Sequence, residues 1–176
     1  RAYPPQRLTL RDGDSNPVWT RDGKVAFTRW DELKRPNLML ADPADGSLAD
    51  AARGVAHPQP RLSISTVPTT GELLLTGTDG SELFAWDPVT RRERRIPLGG
   101  MAPNAVASPD GRRLAILTGA GVSEVPFPAG TRTRPVPRWS PAPCAAPERP
   151  TWDAQGRLYV AYRPWVGDVY AVAIDD

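Results

Sequence analysis

Pro17 to Phe27 reads PVWTRDGKVAF, and three later stretches repeat its plan: Val67 to Leu75 (VPTTGELLL), Val106 to Ile116 (VASPDGRRLAI) and Thr151 to Val160 (TWDAQGRLYV). Each sets an apolar run, a glycine-containing turn and an alternating apolar run in that order. Alternation with a period of two marks a half-buried strand. Asp22-Gly23 and Asp110-Gly111 are hairpin signals, because a tight turn needs a positive φ that glycine adopts without a Cβ clash. The turn glycines Gly23, Gly71, Gly111 and Gly156 are separated by 48, 40 and 45 residues. A period of about 40–50 residues is that of propeller blades.

A third strand is expected after each hairpin, at Leu38 to Ala41, Glu82 to Trp86, Val122 to Val125 and Asp168 to Ile174. Turns follow at Asp42 to Gly46, Asp87 to Thr90 and Pro128 to Gly130. Fourth strands are expected at Arg92 to Ile96, at Arg132 to Val136 and near Leu48 to Ala56. The last repeat stops after its third strand. Arg7 to Leu10 stands before Gly23 as Arg95 and Ile96 stand before Gly111, so it is expected to supply the missing outer strand and close a ring. The sequence therefore reads as all-β: one β-propeller domain of four blades of four antiparallel strands, at about 12–56, 60–97, 102–137 and 148–176 plus 7–10.

Composition agrees. The 176 residues include 21 Pro and 15 Gly, with 40% hydrophobic and 24% charged residues, a turn-rich make-up with little room for helix. The net charge of +2 gives no footprint for nucleic acid. Arg91, Arg92, Arg94 and Arg95 cluster, and a solvated outer strand accounts for them. No apolar run approaches the roughly 20 residues of a membrane helix, so no direct membrane span is expected.

At PVWTRDGKVAF, ASPDGRRLAI and LMLADPADG the chain resembles the WD40-like, TolB-type propeller repeat. The family pattern runs Pro, any residue, Trp, Ser, Pro, Asp, Gly, two residues, then Ile-Ala-Phe, with a later Asp and Gly at the third turn. Pro17, Trp19, Asp22, Gly23, Ala26, Phe27, Asp42 and Gly46 fill it in the first repeat. Ser108, Pro109, Asp110, Gly111, Leu114 and Ala115 fill it in the third, and Pro150, Trp152 and Gly156 part of it in the fourth. Repeat two departs most, with Pro68, Thr69 and Thr70 before Gly71. The resemblance implies protein–protein interaction in the bacterial cell envelope, a periplasmic or extracytoplasmic location, and membership of a larger complex.

Residues able to carry catalysis are sparse. His57 is the single histidine and Cys144 the single cysteine, which leaves neither a zinc site nor a histidine-based nucleophile. No catalytic residue, metal or cofactor is expected. Gly77 to Gly80 and Gly119 to Gly121 read as turns between second and third strands, not phosphate loops, since no βα unit surrounds them. A small-ligand propeller for sugar or peptide, and a propeller enzyme of the lactonase or glycosidase type, remain the alternatives to a protein-binding module.

The tryptophans point to a binding face. Trp19 and Trp152 precede their hairpins and Trp86 lies in a third strand, positions suited to packing between blades. Trp30 and Trp165 fall in connections between second and third strands, on one face of the disc. Asp31, Glu32 and Arg35 follow Trp30, Arg163 precedes Trp165, and Trp139 lies in the proline-rich stretch Pro135 to Pro150 on the same face. Aromatic anchors ringed by charge are typical of interface hot spots. The expected partner-binding face is therefore Trp30, Asp31, Glu32, Arg35, Trp139, Arg163 and Trp165. The opposite face, built of short hairpin turns, is expected to offer little to grip. The stretch 135–150 is expected to be a linker too proline-dense for a strand.

Overall fold

The computed structural model describes residues 13–51, 61–77, 82–98, 104–118, 121–128, 134–135, 146–163 and 170–174. Among them are fifteen strands and no helix, arranged in four antiparallel sheets. Blade one comprises β1 (Asp14–Trp19), β2 (Val25–Trp30), β3 (Pro36–Ala41) and β4 (Leu48–Asp50). Blade two comprises β5 (Arg61–Thr66), β6 (Leu73–Gly77), β7 (Leu83–Trp86) and β8 (Glu93–Ile96). Blade three holds β9 (Asn104–Ala107), β10 (Arg113–Thr118), β11 (Gly121–Pro126) and β12 (Arg134–Pro135), and blade four β13 (Ala146–Trp152), β14 (Leu158–Arg163) and β15 (Tyr170–Ile174). In every sheet the strands neighbour one another in chain order. The fold is a four-bladed β-propeller assembly, as the repeat predicted. The expected closing strand, Arg7 to Leu10, lies outside the described residues.

The hairpins form where the sequence placed them. Gly23, Gly71, Gly111 and Gly156 have φ of 80°, 73°, 66° and 80°. Two of the turns share a local lock. Thr20 Oγ1 donates to Asp22 Oδ1 at 2.6 Å, and Ser108 Oγ to Asp110 Oδ1 at 2.6 Å. These hydroxyls are the main reason that both carboxyls lie below their ordinary value near 3.8.

Central strands are buried on both sides, and side chains alternate between neighbouring blades. Ala26, Leu38 and Leu40 meet Ile64, Leu73, Leu75, Phe84 and Trp86 at the first junction. At the second, Leu74, Leu83, Ala85 and Ile96 meet Ala107, Leu114, Ile116 and Val125. At the third, Ala115 and Val122 meet Leu158 and Val160. A fully buried leucine contributes about 1.5–3 kcal/mol, so these three layers hold the blades together. Trp86 is fully buried at the first junction, as expected of a packing tryptophan.

Two expectations need correction. The stretch 135–150 is not wholly a linker, because Ala146 to Pro150 begins β13. Proline is tolerated there because β13 is the edge of its sheet and the register shifts between Pro147 and Pro150, so missing N–H groups break few ladder bonds. Pro17 is accommodated similarly in β1, beside Asn16 with φ of 54°. Trp19 is not packed between blades: it is 63% exposed. The described residues put no blade on that side, whereas Trp152 at the same repeat position has blade three to rest on.

Candidate protein-binding rim

β2 and β3 join at one end of blade one through Asp31 to Arg35. A single carboxylate fixes this tip. Asp31 Oδ1 accepts from the backbone N–H of Leu33 (2.9 Å) and of Arg35 (2.8 Å), and Oδ2 accepts from Arg35 Nε at 2.9 Å. The Arg35 backbone N–H is the largest influence holding the Asp31 carboxyl below its usual range. Two backbone bonds, Asp31 N to Arg35 O and Lys34 N to Asp31 O, close the loop. Lys34 takes the left-handed conformation, with φ of 56°.

Under the tip lies a second pairing. Arg29 Nε and Nη2 donate to the two oxygens of Asp14 at 2.8 Å each, and the guanidinium stands 5.3 Å from the centroid of Phe27. Both side chains are mostly shielded, and the Asp14 hydrogen bond is the main reason the Arg29 pKa is raised. A forked pair of this geometry anchors the base of the tip.

Such support leaves apolar groups in water. Trp30 is 41% and Leu33 72% exposed, between exposed Glu32 and Arg35. Trp30 is the last residue of β2, not a loop residue as its sequence context suggested, and it pairs in register with Pro36. Leu33 is the member that sequence reasoning missed, because one leucine among charges reads as an ordinary loop residue. Arg163 is the last residue of β14 and holds in blade four the strand position of Trp30, its backbone pairing with Ala146. Trp139 and Trp165 lie outside the described residues.

The opposite face is not featureless. A cleft of about 340 Å³ opens between the β1–β2 hairpin and the β7–β8 turn, lined by Arg21, Asp22, Asp87, Val89 and Thr90. Asp87 holds its own turn, accepting from Val89 N (2.9 Å) and Thr90 Oγ1 (2.7 Å). The Thr90 hydroxyl is the chief cause of its lowered pKa. Asp22 is engaged by Thr20 and by Lys24 Nζ at 3.3 Å. Arg21 makes no hydrogen bond or ion pair among the described residues, and its stem runs beside Gly71. Sequence gave no sign of this cleft, because its two walls belong to different blades.

Of the arginine cluster, Arg94 and Arg95 lie in the outer strand β8, and Arg91 and Arg92 in the turn before it. Arg94 forks onto Glu72 (3.1 and 2.9 Å) and stands 5.1 Å from the Phe127 centroid of the next blade, while Arg95 pairs with Glu82 at 3.3 Å. Among the described residues no group of three His, Cys, Asp or Glu is gathered as a metal site would require, and no helix is long and apolar enough to cross a membrane.

The arrangement defines a class: the chain has the fold of TolB-type and WD40 propellers. It is similar in structure to TolB from Acinetobacter baumannii, with a TM-score of 0.66 at 22% identity over 91% of this chain and 40% of that one. It is similar also to the Swd1 β-propeller domain of Myceliophteria thermophila (TM-score 0.61, 16% identity, 87% of this chain and 50% of that one). A gluconolactonase from Xanthomonas campestris matches too (TM-score 0.58, 18% identity, 84% and 53%). The chain thus spans about half or less of the propeller proteins it matches. No family model matches the sequence, and no curated protein sequence does.

Proposed function

We propose that this chain is a non-catalytic interaction module, a protein-binding subunit or scaffold of a bacterial cell-envelope complex, working in the periplasm or another extracytoplasmic space. One observation carries the reading. A carboxylate-locked tip holds Trp30 and Leu33 in water between Glu32 and Arg35, where a rigid scaffold presents a loop and a desolvated aromatic anchor contributes about 2 kcal/mol or more to an interface. The proposed face also takes in Arg163, Trp139 and Trp165 by their places in the sequence. Likeness to TolB supports the envelope setting. The test is affinity capture from a bacterial envelope extract, read by mass spectrometry, with the parent chain and with Trp30→Ala combined with Leu33→Ala. The parent is expected to enrich a protein that the double variant loses. Equal enrichment by both rules out the rim.

A second reading, a small-ligand propeller for sugar or peptide, is favoured by the cleft at Arg21, whose size is that of small-molecule sites. A thermal-shift screen checks it: a stabilising sugar or peptide whose effect disappears in Arg21→Ala places the ligand in the cleft. No such ligand removes this reading.

A further inference from the structure

The cleft between the β1–β2 hairpin and the β7–β8 turn has one strong polar group to spare. Both of its carboxylates are engaged. Asp22 accepts from Thr20 Oγ1 at 2.6 Å and faces Lys24 Nζ at 3.3 Å with its other oxygen. Asp87 accepts from Val89 N at 2.9 Å on Oδ1 and from Thr90 Oγ1 at 2.7 Å on Oδ2. Arg21 lines the same cleft and makes no hydrogen bond, ion pair or ring contact among the described residues. Its position is nevertheless set. Arg21 Cβ, Cγ and Cδ lie 2.6, 3.2 and 2.9 Å from the place a Cβ would take at Gly71, so the stem runs over a spot that glycine leaves open. The charge reaches the opposite wall, because Arg21 adds to the lowering of the Asp87 carboxyl that the Thr90 hydroxyl chiefly causes.

What the cleft can recognise follows from these capacities. A guanidinium presents its donors in a planar fork that fits a carboxylate. Arg21 and Lys24 balance Asp22 and Asp87, so a singly charged carboxylate enters more readily than a phosphate dianion. The Thr90 hydroxyl spends its hydrogen on the bond to Asp87 and keeps lone pairs for an incoming N–H. Val89, 63% exposed, adds apolar surface. Donor fork, acceptor and apolar patch thus line one cleft of about 340 Å³, within the range of small-molecule sites. A carboxylate, an N–H and an apolar side chain on a single carbon are the substituents of a peptide's last residue.

We propose that this cleft takes the C-terminal residue of a peptide with an apolar last side chain: the carboxylate on Arg21, the amide N–H on Thr90 Oγ1 and the side chain against Val89. The inference rests on the small-ligand reading of the cleft and narrows it to free peptide ends, excluding sugars. The Trp30 tip lies on the other face and keeps its own partner.

NMR titration of the isotope-labelled whole chain with N-acetyl-alanyl-leucine tests this. The free acid is expected to shift the amides of 20–24 and 89–91, and to bind about tenfold more tightly than its C-terminal amide or glucuronate. N-acetyl-alanyl-glycine, without the apolar side chain, is expected to bind about tenfold more weakly than the leucine peptide. Arg21→Gln keeps Cβ, Cγ and Cδ over Gly71 and removes the fork, so it should erase the preference for acid over amide while the spectrum stays that of the folded chain. Equal binding of acid and amide in the parent, glucuronate as tight as the peptide acid, indifference to the last side chain, or an acid preference that survives Arg21→Gln overturns the inference and leaves the small-ligand reading standing. A chain that responds to none of these probes also overturns it, and the small-ligand reading is then decided by the thermal-shift screen.

Discussion

A methyl group at Gly71 measures how tightly the first two blades meet. Its φ of 73° is left-handed, and an added Cβ would lie 2.6 Å from Arg21 Cβ, 2.9 Å from Cδ and 3.2 Å from Cγ. The first of these atoms is fixed by the backbone, so the blade-one hairpin itself must move. Gly23 is the control: its φ is 80°, but a Cβ there meets nothing within 4 Å. The conformational cost, about 1–2 kcal/mol, is common to both positions. Overpacking adds about 1–3 kcal/mol at Gly71 alone. Gly71→Ala is thus expected to lose about 2–5 kcal/mol in urea denaturation and Gly23→Ala about 1–2. Removing the obstructing side chain with Arg21→Gly should recover most of the difference. Equal losses at the two glycines, or no recovery with Arg21→Gly, would refute the packing of hairpin on hairpin.

Three further outcomes follow from the same geometry. The carboxyls of Asp22, Asp87 and Asp110 are depressed by neighbouring hydroxyls, so they stabilise the fold above the ordinary value and the gain is lost as pH falls through their lower folded values; melting temperature should hold at about pH 6 and drop once pH passes below about 4. Arg94→Lys should cost about 1 kcal/mol in chemical denaturation although charge is kept, because an ammonium cannot fork onto Glu72 and cover the Phe127 ring together. Trp86→Phe should destabilise less than the roughly 2–5 kcal/mol of Leu74→Ala, measured the same way, because Trp86 Nε1 is buried with no hydrogen-bond partner among the described residues and its removal relieves that cost.

Local chemistry was legible in the sequence and long-range packing was not. Asp22-Gly23 and Asp110-Gly111 specify their turns through a hydroxyl two residues upstream and a positive φ, both local, so strand order and blade spacing could be read directly. Trp19 and Trp152 look alike in sequence and differ in exposure, because what covers each is a neighbouring blade. β13 was hidden by Pro147 and Pro150, whose penalty vanishes on an edge strand. At the rim, Trp30 and its charged neighbours stood out, but Leu33 did not. Only the Asp31 hydrogen bonds reveal that the loop is held with that leucine outward. The same carboxylate lock recurs at Asp153, whose oxygens accept from Gln155 N, Arg157 N and Arg157 Nε. An Asp followed four residues later by Arg is therefore the signal that would have exposed the rigid tip.

Hydrogen exchange on the chain alone and with its captured protein partner tests the binding face most directly. Protection confined to the amides of 30–35 and 37 and to that of Arg163, with none at 20–24 or 87–91, is the predicted footprint. Protection of the turns around Arg21 and Val89, with the Trp30 tip exchanging as in the free chain, would place the partner on the other side of the propeller.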